Sequence, residues 1–251
     1  MALSEEVAWV TGSSMGIGRA VAVELAAGGR RVVVHYNASE DEAREVVKEI
    51  EGSGGDASLV GGDVSDADEV GRMVGEIEDR YGRLDVLVNN AGSLIERRGL
   101  SEMTEDLWDR VMDVNLKSVY LVSQAALPLM REGGRGRIIN MTSVAARNGG
   151  GPGSVAYATA KGGVSTLTRA MAKELVSENI LVNGVAPGVI TTPFHDRFTP
   201  PDVRENLKSA IPMGREGTPA ETAGVVAFLA SPAADYLVGE IIEVNGGQLM
   251  S

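Results

Sequence analysis

Short runs rich in valine and isoleucine, with no polar alternation, recur along this chain between longer stretches of helical period. The runs are Val7–Thr11, Arg31–Tyr36, Ala57–Gly61, Leu84–Asn89, Gly136–Met141, Leu181–Ala186 and Ile241–Val244. Between them, helical patterns fall near 17–28, 40–51, 66–81, 104–131, 155–178 and 219–230. Strands that are apolar on both faces must be covered on both faces, which is the habit of parallel sheets. Strand and helix in alternation then imply right-handed crossovers and an α/β fold, a doubly wound parallel sheet of about seven strands with helices on both sides.

The remaining bulk properties mostly exclude. The 251 residues are 43% hydrophobic and 23% charged, with no linker, repeat or low-complexity run, so one domain over 1–251 is expected. Without cysteine there is no disulfide and no thiolate chemistry, and two distant histidines, His35 and His195, do not suggest a metal site. A formal charge of −12 argues against nucleic acid and against anionic membranes as partners. Much of the acid lies in 39–85, on faces that read as solvated helix. No apolar run approaches the roughly 18 residues that a membrane span requires. The first residues lack a basic segment followed by an apolar core, so a cytoplasmic location is expected.

In doubly wound sheets ligands gather beyond the carboxyl ends of the strands. After the first run comes Gly12-Ser13-Ser14-Met-Gly16-Ile17-Gly18, opening a helical pattern. Such a turn lets backbone N–H groups and a helix N-terminus approach a diphosphate. Tyr157 and Lys161 are four apart in a helical stretch, so they project from one face, and Ser143 closes the fifth run. A free phenol has a pKa of about 10; a neighbouring ammonium favours phenolate and is expected to lower it, making a proton carrier near neutral pH. Asn115 interrupts an apolar helical run, where asparagine is a poor helix former.

Taken in order, the glycine turn, Asn89-Asn-Ala-Gly92, Ser143, Tyr157-xxx-Lys161, Pro187-Gly188 and the closing Val-Asn-Gly-Gly at 244–247 resemble the short-chain dehydrogenase/reductase family, in its classical branch. The resemblance spans nearly the whole chain. It implies a Rossmann-type fold, a nicotinamide cofactor, and a ketone or secondary alcohol as substrate. It also implies a catalytic set of Asn115, Ser143, Tyr157 and Lys161, with Tyr157 as acid and base. On the cofactor side it implies Gly12, Ser13, Ser14, Gly16, Ile17 and Gly18, then Asp63 and Val64 at adenine. Asn89, Ala91 and Gly92 would border the adenosine ribose, Tyr157 and Lys161 the nicotinamide ribose, and Pro187, Gly188, Ile190 and Thr192 the nicotinamide amide. From residue type alone Asp63 also reads as a turn or cap residue before Ser65-Asp66. A homotetramer, or a homodimer, is implied with faces on 104–131, 155–178 and the last strand.

The choice between NADP and NAD rests on the end of the second run. An acid there would take the ribose 2′-hydroxyl and repel a 2′-phosphate. Tyr36 stands in that place, followed by Asn37 and Ser39, with no carboxylate before Glu40, which favours NADP. Substrate choice is expected to come from Ser93-Leu-Ile95, from Val144–Gly153 and from a lid at about 189–215. Phe194, His195 and Arg197 of the lid, with Arg147, raise the possibility of an anionic keto or uronic sugar acid; surface pairing of these arginines is the plainer reading. A small ketone, polyol or keto-sugar is the first expectation. A 3-oxoacyl (carrier-protein or CoA) reductase is the alternative, weakened by Glu178 where such enzymes often carry a base. A dinucleotide sensor without turnover is the rival from another class, and the complete catalytic set argues against it.

Overall fold

The computed structural model describes residues 5–250; residues 1–4 and 251 of the expected domain lie outside them. Seven strands form one sheet in the order β3-β2-β1-β4-β5-β6-β7, and every pairing is parallel. They are β1 Val7–Val10, β2 Arg31–Tyr36, β3 Asp56–Gly61, β4 Val86–Asn89, β5 Gly136–Met141, β6 Ile180–Pro187 and β7 Ile241–Val244. The helices are α1 Gly16–Ala27, α2 Glu40–Gly52, α3 Ala67–Tyr81, α4 Glu105–Met112, α5 Ser118–Glu132 and α6 Ala145–Asn148. They continue as α7 Val155–Leu175, α8 Pro193–Phe198, α9 Pro201–Ser209 and α10 Pro219–Leu229.

Side chains of a strand point alternately to opposite faces. Ala8 and Val10 enter a core with Val21, Leu25, Val46 and Leu229 on one side of the sheet. Val7 and Trp9 enter another with Met73, Ile77, Leu129 and Met130 on the other side. Two covered faces explain why the strand sequences do not alternate. Each fully buried large side chain contributes about 1.5–3 kcal/mol.

Strand order reverses between β1 and β4, so the loops after these strands diverge and open a crevice at their carboxyl ends. Three local features differ from the sequence expectation. The helix expected over 104–131 is broken by a π-helical turn, Asp113–Lys117, because the Asn115 amide bonds to the Val111 carbonyl and to Ser93 in place of solvent. The segment 189–215 contains α8 and α9, each begun by a proline in its first turn, where the missing N–H costs nothing. A short α6 follows β5 and is closed by Gly149 at φ 81°. Among the described residues, no helix is long and apolar enough to cross a membrane.

Candidate active site

The glycine turn between β1 and α1 is fixed by its neighbours. Gly12 and Gly16 have φ of 61° and 58°, a conformation that side chains disfavour. Thr11 Oγ1 accepts from the backbone N–H groups of Asn90 (2.9 Å) and Ala91 (3.0 Å). Asn90 Nδ2 donates to the carbonyls of Thr11 (2.9 Å) and Gly12 (3.0 Å). Buried His35 accepts the Gly12 N–H at Nδ1 (2.8 Å), which leaves Nε2–H to donate to the Gly62 carbonyl (3.0 Å). Burial pushes this imidazole down to about 4, so it stays neutral at physiological pH.

A Cβ on Gly18 would stand 2.3 Å from the Gly12 carbonyl oxygen and 2.5 Å from Asn90 Nδ2. The first turn of α1 begins at Met15 with no side-chain cap, so its N–H groups face the crevice without a protein acceptor from the cap position. A bare glycine cradle and an uncapped helix N-terminus fit a diphosphate. Ile17 packs against the core below. Ser13 departs from expectation. Its hydroxyl donates to the Val10 carbonyl (2.7 Å) and accepts the His35 N–H (2.8 Å), tying β1 to β2 with no exposure toward a phosphate. Ser14, by contrast, is partly exposed on the turn.

At the adenosine end, Tyr36 lies against Gly61, where a Cβ would come within 2.5 Å of its ring. Its hydroxyl bonds Glu40, which also holds Arg44. An open groove of about 750 Å³ runs here, lined by Tyr36, Asn37, Arg44, Gly61, Gly62 and Arg72. Ser39 precedes α2 without capping it. Asp63 accepts from Ser65 at both N (2.8 Å) and Oγ (2.7 Å), the turn geometry its type allows, beside buried Val64. Asn89 is engaged inside the sheet, donating to Ser123 Oγ (3.0 Å) and Asn140 Oδ1 (2.8 Å).

Across the crevice, Tyr157, Lys161, Ser143 and Asn115 do converge. The Tyr157 hydroxyl is enclosed and hydrogen-bonds Ser143, which opposes the rise that burial imposes; the net effect pushes the phenol up to about 12. Burial therefore outweighs the acidification expected from the neighbouring ammonium. Lys161 Nζ is buried, donates to the Met141 carbonyl (2.7 Å) and lies 5.7 Å from the Tyr157 ring centroid. Burial brings this ammonium down to about 8. Asn115 Oδ1 accepts the Ser93 N–H (3.1 Å). A Cβ on Gly92 would meet Asn115 Oδ1 at 2.7 Å and Lys161 Nζ at 3.4 Å, so only glycine lets these groups approach.

The segment after β6 closes the site. Gly188 N–H donates to the Val244 carbonyl (2.9 Å), and the Pro187 carbonyl accepts from Val144 (3.1 Å). Ile190 and Thr192 are buried, and Thr192 faces Gly16 across the crevice. Phe194 stacks on Tyr157 at 5.8 Å between centroids, with His195 and Phe198 against its other edges. Arg147 is exposed and pairs with Glu243 (3.4 Å), as surface pairing anticipates, whereas exposed Arg197 lies over the Phe198 ring and not against a carboxylate. Sequence reading missed Thr11, His35 and Asn90, which hold the glycine turn, and Arg97, which holds the lid. Thr11 and Asn90 lay within motifs read from the sequence, without their holding roles being legible; His35 and Arg97 carried no local signal.

A dinucleotide cradle facing half-buried Ser143 and Tyr157 and buried Lys161 defines a nicotinamide-dependent oxidoreductase acting on CH–OH groups. The family model for Enoyl-(Acyl carrier protein) reductase matches residues 12–248. A 3-oxoacyl-(acyl-carrier-protein) reductase of Synechocystis sp. is 45% identical over 99% of this chain and 99% of its own. One from Staphylococcus aureus is 44% identical over 97% and 98%. A solved candidate gluconate dehydrogenase from Agrobacterium tumefaciens superposes with a TM-score of 0.94 at 34% identity, covering 100% of this chain and 98% of its own. The chain belongs to the short-chain dehydrogenase/reductase family.

Proposed function

We propose that this protein interconverts a small ketone, polyol or keto-sugar and its secondary alcohol, with NADP(H) preferred and Tyr157 as the proton carrier. The hydrogen bond between the Tyr157 and Ser143 hydroxyls, beside Lys161, carries this reading. A bound nicotinamide supplies or accepts the hydride at the reacting carbon. Tyr157 Oη gives its proton to the substrate oxygen in reduction and recovers it in oxidation. A phenol held protonated is ready to donate. Ser143 Oγ orients the same oxygen, Lys161 stabilises the phenolate left behind, and Asn115 holds the Ser93 loop against Lys161. Lys161 loses its charge as pH rises through about 8. The rate of ketone reduction therefore holds below that pH and declines above it, while Tyr157 stays protonated throughout.

The NADP preference is supported by Tyr36 where an acid would stand, and by Arg44 and Arg72 in the adjoining groove, where Arg72 pairs with Glu76 (2.6 Å) and Glu69 (3.7 Å). Glu40, the first carboxylate after β2, is already bonded to Arg44 and Tyr36. Fluorescence titration should give a Kd for NADPH at least about tenfold below that for NADH, worth ~1.4 kcal/mol. Equal affinities would remove the preference. The family resemblance and exposed Tyr120 on α5 support a homotetramer in the cytoplasm, checked by light scattering and fractionation.

The names of the relatives favour a second substrate, a 3-oxoacyl thioester. The −12 charge and the pair between Glu178, in the turn after α7, and Arg131 of α5 (2.5 Å) do not suit an acidic carrier. An absorbance assay of acetoacetyl-CoA against small ketones and keto-sugars separates the two. A kcat/KM for the thioester more than about tenfold higher would replace the first reading with the second.

A further inference from the structure

The segments expected to choose the substrate meet at one side chain that the sequence did not single out. Arg97 stands on the loop after β4. Its Nε donates to the Phe198 carbonyl in α8 (2.5 Å) and its Nη1 to the Pro152 carbonyl in the glycine-rich loop (3.1 Å). The Phe198 ring touches Phe194 at 5.1 Å between centroids, and Phe194 covers Tyr157. The loop that carries Arg97 is held in an unusual shape. Ile95 has φ 59°, a strained conformation for a β-branched residue, and packs in the cluster containing Tyr157. Strain of this kind persists where the surroundings enforce it, and it gathers at ligand sites.

The charge of Arg97 is the second observation. Arg30, Arg31, Arg83, Arg137 and Arg204 are, like Arg97, half-buried, and each faces a carboxylate. Among the described residues, Arg97 alone of the half-buried guanidiniums bonds only to carbonyls. Carbonyls satisfy donors but do not neutralise a charge taken from water. Burial lowers its pKa, and no acidic neighbour opposes that shift. His195 adds no second cation, since burial and then the nearby Arg204 keep it below its usual range, with Arg97 contributing in the same direction. After two bonds to carbonyls, the Nη1–Nη2 edge keeps N–H groups spaced for one planar carboxylate.

We propose that the substrate of this site is a small keto or hydroxy acid whose carboxylate pairs with the free edge of Arg97. This rests on the ketone–alcohol reading of Tyr157 and names the substrate class for it. A single cation in a half-buried setting selects a monoanion over a phosphate ester, which calls for several. The guanidinium then serves twice: it pins the lid through Phe198 and neutralises the acid once the substrate arrives.

The test compares pyruvate, acetoacetate and 4-oxopentanoate with their methyl esters, using NADPH at low ionic strength. Wild type should favour at least one acid over its ester by about tenfold or more in kcat/KM. Arg97→Gln should lower that acid by roughly 30-fold and the ester by less than about threefold. Arg97→Lys should recover part of the acid preference by keeping the charge. Calorimetric titration of 3-hydroxybutyrate and its methyl ester into the NADP-loaded protein should show the same loss on Arg97→Gln, without depending on turnover. Acid and ester falling together would reduce Arg97 to a brace and overturn the proposal, as would an acid unaffected by Arg97→Gln. If neither acids nor esters turn over, the ketone–alcohol reading fails, and the calorimetric comparison still decides the carboxylate site.

Discussion

The glycine turn and the lid face each other across the crevice, with Gly16 close to Thr192, yet different forces hold them. The turn is fixed by backbone hydrogen bonds and by uncharged side chains, Thr11, His35 and Asn90, each anchored to a strand. The lid is fixed by ions. Arg204 joins Asp196 of α8 to Glu216 beyond α9, Thr191 bonds Glu216 (2.9 Å), and Arg97 ties α8 to the loop after β4. Neutral, buried hydrogen bonds hold a cradle rigid at any salt concentration. Partly exposed ion pairs weaken with salt and exchange partners, which suits a segment that must open for substrate.

The sharpest test lies between the two regions. Tyr157→Phe should lower kcat by about 10³-fold while the Kd for NADPH, followed by fluorescence, changes by no more than about twofold. Retained turnover would place the proton elsewhere.

His35 probes the cradle. Its pKa falls from 6.5 unfolded to about 4 folded, so the unfolded chain binds the extra proton first as pH drops. Stability from this group is full above about 6.5 and is lost progressively toward 4, by about 3 kcal/mol. Urea melts across that range should show the loss, and His35→Gln should flatten it. An unchanged slope in the variant would mean that another group titrates there.

Gly18→Ala places a methyl against the Gly12 carbonyl and Asn90. It should cost about 2 kcal/mol in a denaturant melt and weaken NADPH about tenfold. A full-strength Kd would show that the cradle yields more than its hydrogen bonds suggest.

Glu216→Gln should act on the lid alone. Its carboxyl sits at about 2, chiefly because of Arg204, and losing that pairing should raise the substrate KM about fivefold with kcat nearly unchanged, ~1 kcal/mol. A fall in NADPH affinity instead would join the lid to the cradle and dissolve the contrast between them.

Much of the strand pattern and of the site was legible because period and spacing are local properties. The buried strands and the Tyr157–Lys161 pair follow from residues within one turn or one run. Other features were hidden for a common reason. The Asn115 break, the closed duty of Ser13 and the role of Arg97 each depend on a partner brought near by folding: Ser93, His35 and Phe198. Tyr157 shows the limit most directly. Sequence placed an ammonium beside it and implied a lower pKa, but burial of the hydroxyl is the larger effect.

By itself the sequence determined which faces must be covered, where glycine must stand and which groups could move a proton, because hydrophobic period and residue chemistry act over a few residues. Tertiary structure alone decided the proton's resting place and which half-buried arginine lacks a counter-charge. Desolvation and charge pairing depend on neighbours a hundred or more positions away, such as the Phe198 carbonyl that meets Arg97 across 101 positions.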